Sequence, residues 1–249
     1  MNRLVAVWVG VFVTFLWSSS YILNKVAFEE GISTLMLAGL RYSIAVLVMY
    51  LISTAVRLRQ RTIHKNNRID GATSKLKMKH YLLLGITGYV MAQGLQYAGQ
   101  FFISPTQTSM MLSIGNNLLV ILLDILWLRA VKSHGILVGI FGITMGIVMY
   151  YYPWEFEFGS LIGIGFVLLS SVGYTINLGA TRHFMSNNLA ETKDLVLRPM
   201  FIGAVFTLLF GLIKDGFPGI SLKLALILFW LGSINGALAF YLWTWTQKN

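Results

Sequence analysis

A chain of 249 residues with 56% apolar and 11% charged side chains and a mean hydropathy of +0.71 is excluded from the water-soluble classes; the composition is that of a polytopic membrane protein. The net charge of +10 would suit nucleic acid in a soluble chain, but in a membrane protein Lys and Arg gather in cytoplasmic connections and set orientation, so no nucleic-acid partner is expected. The absence of cysteine excludes disulfides and thiol chemistry.

A crossing needs about 20 apolar residues. That length marks out eight helices, at roughly 4 to 27, 34 to 56, 80 to 99, 105 to 128, 135 to 152, 160 to 181, 196 to 213 and 221 to 245. The first is too long, and too soon followed by another, to be a cleaved signal peptide. It carries the run Trp17-Ser18-Ser19-Ser20-Tyr21-Ile22-Leu23-Asn24. At 100° per residue, Trp17, Ser18, Tyr21, Asn24 and Lys25 share about one third of the helix circumference. Two readings of this polar, aromatic stripe stand: it lines a substrate path, or its hydrogen-bonding groups hold helices together. Tyr21 and Asn24 fit either reading, and the serines fit packing. Lys25 lies one turn before Glu29, so a local ion pair or snorkelling would satisfy it, and holding an anionic group of substrate is the alternative.

Arg41 lies about two turns into the second helix. A guanidinium at that depth is expected to find a carboxylate or backbone carbonyls and to act as a structural anchor. The connection that follows holds Arg57, Arg59, Arg61, Lys65, Arg68, Lys75, Lys77 and Lys79 against the single acid Asp70, which marks it as cytoplasmic. Parity then places the N-terminus inside, together with the basic connections 129–134 and 181–198. Glu29-Glu30 and Glu155 with Glu157 fall outside, with Lys214 and Lys223 as exceptions.

The third helix offers Gln93, Gln96 and Tyr97. Ser104-Pro105 predicts a sharp start to the fourth, because proline at the first helical position loses no hydrogen bond and serine caps its neighbours. Along that fourth helix Ser113, Asn117 and Asp124 fall in a narrow arc with Asn116 beside them, and Asp124 is a candidate carrier of a coupling proton. The run Tyr150-Tyr151-Tyr152-Pro153-Trp154 reads as an interfacial aromatic belt and a helix stop. In the eighth helix Trp243 and Trp245 read as interfacial anchors, whereas Asn235 is mid-helix and the better site candidate.

The Ser-x-x-Tyr-x-x-Asn spacing of Ser18, Tyr21 and Asn24 returns at Ser171, Tyr174 and Asn177. Aligning the two brings other features into step. Leu40-Arg41 answers Leu197-Arg198, Gly85 and Ala92 answer Gly232 and Ala239, and Gln100 answers Gln247. Helices one to three therefore correspond to six to eight, the unit is five helices long, and an odd number of crossings inverts one copy relative to the other. The expected fold is an all-α polytopic bundle of inverted repeats, with residues 1–153 forming a first five-helix repeat and 154–249 a second, partial one of three helices. The fourth and fifth helices have no counterparts. Truncation is the preferred reading, with two helices supplied by another chain, or their natural loss, as alternatives.

The residues resemble the EamA-type transporters of the drug/metabolite transporter superfamily. The likeness lies in Leu16-Trp17-Ser18-Ser19-Ser20-Tyr21 with Lys25, in Gly31-Ile32-Ser33 leading to Leu40-Arg41-Tyr42, in Leu95-Gln96-Tyr97, and in the helix from Ser109 to Leu128. The resemblance implies ten helices in two five-helix EamA repeats, cytoplasmic termini, and export or import of small metabolites such as amino acids and nucleotide-linked or drug-like compounds. Asn116 stands where the family often carries proline, and Arg129-Ala130 where it often carries Gly-Glu.

Rival functions are poorly supported. His64, His80, His134 and His183 fall in connections or at helix ends, and neither metal-ligand spacing, a catalytic triad at membrane depth nor a phosphate loop is present. A channel would need a filter-like segment or a charged ring, neither of which is seen. The chain is expected to be a secondary carrier in the plasma membrane, surrounded by lipid and without a prosthetic cofactor or enzymatic activity; a membrane scaffold, or a fragment needing two further helices, is the alternative. Its small-molecule substrate is expected near the midplane, against Trp17, Tyr21, Asn24, Gln93, Tyr97, Asn116, Asn117, Tyr174, Asn177 and Asn235, with Lys25, Arg41 and Asp124 as the intramembrane charges. No motif specifies the substrate, the direction of transport, the coupling ion or the oligomeric state.

Overall fold

The computed structural model describes residues 3–63, 74–125, 134–152 and 158–246. The expected Arg129-Ala130 edge, the Pro153-Trp154 stop, Glu155, Glu157, Gln247, and Lys65, Arg68 and Asp70 of the basic connection lie outside the described residues. Within them helix is the only regular secondary structure, and each of the eight expected segments is a helix. These are α1 (Arg3–Glu29), α2 (Thr34–Ile63), α3 (78–102), α4 (Pro105–Leu123), α5 (His134–Tyr150), α6 (Phe158–Ser186), α7 (Thr192–Asp215) and α8 (Leu222–Thr246). Six of them, α1, α2, α4, α6, α7 and α8, are long and apolar enough to cross a bilayer.

Local chemistry sets the ends. Gly31, at φ 84°, and Gly216, at φ 72° and ψ −173°, take positive-φ conformations that favour glycine and close α1 and α7. Ser33 and Ser221 cap α2 and α8 by accepting from Met36 N and Leu224 N. The start of α4 is a reciprocal capping box: Ser104 Oγ accepts from Gln107 N, and Gln107 Oε1 accepts from Ser104 N. Ser104→Ala should therefore lower stability by about 1 kcal/mol. Ser113→Ala, whose hydroxyl only bonds back to the Ser109 carbonyl, should leave it unchanged. Chemical unfolding in detergent, followed by circular dichroism, compares the two, and equal midpoints would refute the role given to the cap.

Two long departures from regular α-helix, besides the π-helical residues Asp124 and Ile125, were not legible in the sequence. α3 runs as π-helix from Ile86 to Gly94, and α8 from Leu231 to Leu238. Both occupy the third helix of a five-helix unit as numbered from sequence, and both contain or adjoin the glycines that pack the bundle.

The bundle is built around the crossing of α2 with α7. Helices in lipid gain little from the hydrophobic effect and rely on close packing, which small residues permit. Gly39 of α2 lies directly against the Leu208 backbone of α7. Around this crossing the contacts come in matched sets. Gly85 of α3 rests on the Pro199 carbonyl and Ile202 of α7, while Gly232 of α8 rests on the Arg41 carbonyl and Ile44 of α2. Tyr42, Tyr89, Tyr97, Val196 and Met200 form the central core.

At the end holding the α1–α2 and α7–α8 turns, Ala27, Ile32, Met36, Leu37, Leu224, Leu228 and Leu231 make a dry plug. Glu30 ties the two turns together, accepting from Lys223 Nζ and from Ser221 Oγ, each at 2.8 Å. Those hydrogen bonds, the one from Lys223 first, hold its carboxyl below the usual carboxylate range, so the clasp is ionised at neutral pH. At the opposite end, Lys75 N donates to the Leu189 carbonyl and Leu84, Phe184, Met185 and Leu195 pack together. Trp8, Phe15 and Val138 are at least 70% exposed, which makes the outer faces of α1 and α5 suitable for lipid.

Candidate functional site

Seven helices surround one cavity of about 120 Å³. From α1 come Trp17, Ser20 and Tyr21, and from α2 Arg41. The π-helical stretch of α3 contributes Gly88, Tyr89 and Gln93, followed by Gln96, while α4 adds Leu112 and Asn116. Tyr174, Asn177, Leu178 and Thr181 of α6 form the facing wall; Leu195 of α7 and Phe240, Trp243 and Thr244 of α8 complete it. π-helical turns recur at functional sites because they displace side chains from the regular helical phase. Here one supplies three wall residues.

The repeated motif converges on this space. Tyr21 and Tyr174 wall the same cavity, from α1 and α6 respectively. Asn177 also joins the wall, and its Nδ2 donates to the Leu84 carbonyl, at the edge of the π-helical stretch, at 2.9 Å. A Cβ on Gly88 would fall 2.4 Å from that same nitrogen, so only glycine leaves room for the amide. Trp17 packs at a tilt against Phe240 and Trp243, with ring centroids 5.3 and 5.4 Å away, and its Nε1 donates to the Asn235 backbone carbonyl at 3.3 Å.

Of the expected substrate contacts and intramembrane charges, Trp17, Tyr21, Gln93, Asn116, Tyr174, Asn177 and Arg41 are on the cavity wall and the rest are not; Gln96 is on the wall too, as is Trp243, which the sequence marked as an interfacial anchor. Asn24 is buried between helices, donating to Gln100 Oε1 at 2.7 Å. Asn235 is fully buried and donates to Ser19 Oγ at 3.2 Å, joining α8 to α1. Asn117 is exposed on the outer side of α4. Lys25, rather than pairing with Glu29, donates to the Phe101 carbonyl in the last turn of α3, where helix carbonyls lack intrahelical partners. Asp124 pairs with Arg182 of α6 at 3.3 Å, away from the wall. Tyr97 lies behind the wall, where its hydroxyl accepts from Arg41 Nη1 and meets the Tyr42 hydroxyl at 3.2 Å.

Arg41 corrects the expectation most. Among the described residues no carboxylate pairs with it; the guanidinium carbon instead lies 5.6 Å from the ring centroids of both Tyr42 and Tyr97. Sequence reasoning passed over Tyr89, Phe240 and Thr181 as wall residues. Their types carry no signal, since an aromatic or threonine in an apolar helix is usually packing.

The model of the EamA-like transporter family matches residues 4–152. The chain belongs to this family. It is thus a multi-pass membrane protein of a family of small-molecule transporters, and the matched region contains α1 to α5. A solved structure described only as "Crystal structure of protein" shares the fold of this EamA-like transporter, with a TM-score of 0.73 at 15% identity over 99% of this chain and 80% of its own. No curated protein matches the sequence.

Proposed function

We propose that this EamA-like transporter is a secondary carrier that binds a small metabolite in the cavity and works by alternating access between two inverted halves in the plasma membrane. The observation that carries the proposal is the placement of Tyr21 and Tyr174, equivalent positions of the sequence repeat, on one enclosed polar and aromatic cavity. The matched contacts of Gly85 on α7 and Gly232 on α2, and a π-helical stretch in both α3 and α8, support the pairing of helices one to three with six to eight. Under the positive-inside rule the termini and the basic connection are cytoplasmic. The wall then runs from Arg41 toward the cytoplasmic ends of α6 and α8, and the apolar plug beneath the Glu30 clasp closes the outer side. Asp124 is held by Arg182 away from the wall, so no proton step is assigned to it.

Reconstitution in liposomes tests the proposal. Saturable counterflow of at least one compound from a labelled metabolite panel is expected. Failure of every compound to exchange, with protein shown to be folded, would favour a scaffold or an incomplete carrier.

A further inference from the structure

Among the described residues Arg41 is the one charged residue on the cavity wall, and it is only 2% exposed. The ion pairs among the described residues are Asp124 with Arg182, Asp194 with Arg198 and Glu30 with Lys223, and none includes it. One of its N–H groups is accepted by the Tyr97 hydroxyl, while Nε is buried with no hydrogen-bond partner. A guanidinium group carries a full positive charge and donors only, with no acceptor of its own. A buried charge without a counter-ion is unfavourable, and a ligand carrying the opposite sign removes the deficit. The rest of the wall is neutral: amides at Gln93, Gln96, Asn116 and Asn177, and the rings of Trp17 and Phe240. It holds no carboxylate to accept an ammonium group.

From this geometry we infer that the cavity takes a small organic anion whose carboxylate is bound by Arg41, with its apolar or aromatic body against the rings. A carboxylate matches the planar donor fork of guanidinium. Tyr42 and Tyr97, flanking the guanidinium, act as positioning residues. The inference names the substrate class for the carrier proposed above and rests on that reading for the site's use in transport. The binding itself does not require it.

The test uses three probes of one skeleton: phenylacetate, phenylacetamide and 2-phenylethylamine. Binding to the purified full chain in detergent is followed by the tryptophan fluorescence to which Trp17 and Trp243 of the wall contribute. Phenylacetate is expected to bind at least about tenfold more tightly than the amide or the amine, a difference of about 1.4 kcal/mol. Arg41→Gln is expected to erase that preference, and Arg41→Lys to retain part of it. The comparison among probes on the unaltered protein stands even where a variant fails to fold. Equal binding of the three, preference for the amine, or binding of none overturns the inference. Anion-selective binding without counterflow of any compound would overturn the carrier and leave the anion site standing. Counterflow indifferent to ligand charge would do the reverse.

Discussion

Replacing Gly39 by alanine is expected to lower the stability of the folded bundle by about 1 to 3 kcal/mol, at the upper end of what one added methyl does in a packed interior. The added Cβ would lie 2.6 Å from Leu208 Cα and 2.7 Å from Leu208 N. Backbone atoms cannot rotate aside as the end of a side chain can, so α2 and α7 would have to separate. That crossing is the centre of the molecule, and Gly211 meets Met36 across the same pair of helices. In lipid the separated faces find solvent as apolar as themselves, so lost packing is not offset by any renewed drive to associate. Gly10→Ala is the control, because nothing lies within 4 Å of the Cβ it would gain. Unfolding titrations in mixed micelles should show an earlier midpoint for G39A and an unshifted one for G10A. Coincident curves would remove the α2–α7 crossing from its central place in this account.

The second large effect is a division between two residues that the sequence could not separate. Tyr21→Ala should weaken substrate binding by about ten- to a hundredfold while folded protein is recovered in normal amount. The wall would lose one aromatic face, whose burial against a ligand contributes about 1.5 to 3 kcal/mol. Asn235→Ala should do the opposite. Its side-chain amide donates to Ser19 away from the wall, whereas the backbone carbonyl that accepts from Trp17 survives the substitution, so the variant should yield less folded protein with an unchanged half-saturation concentration in what folds. Counterflow titrations, paired with size-exclusion recovery, read both quantities. If the two variants behave alike, the cavity boundary drawn here is misplaced.

The division between Tyr21 and Asn235 shows what a linear reading can and cannot reach. Amphipathic and apolar lengths, the Ser104-Pro105 start and the glycines at helix ends act through local rules, and so the helices were legible before any neighbour was known. The recurrence of Ser18, Tyr21 and Asn24 at Ser171, Tyr174 and Asn177 singled out two tyrosines, and both stand on the cavity wall. Yet the two asparagines of that recurrence part company: Asn24 is buried against Gln100, whereas Asn177 faces the cavity. Equivalent places on two helices meet different neighbours, and periodicity carries no record of them.

The π-helical stretch of α3 adds a second reason. It shifts the phase of the side chains after Ile86, so Gln93 and Gln96 reach the wall while Tyr97 turns behind it to hold Arg41. Composition and spacing by themselves determined that the chain is a multi-pass helical bundle and where its helices lie, and they nominated a pair of motifs as a repeat. Only the packed structure decided which polar groups satisfy one another between helices and which remain open to a ligand. Hydrogen-bond pairing in the apolar interior depends on which backbones approach closely, and that is a property of the assembled bundle.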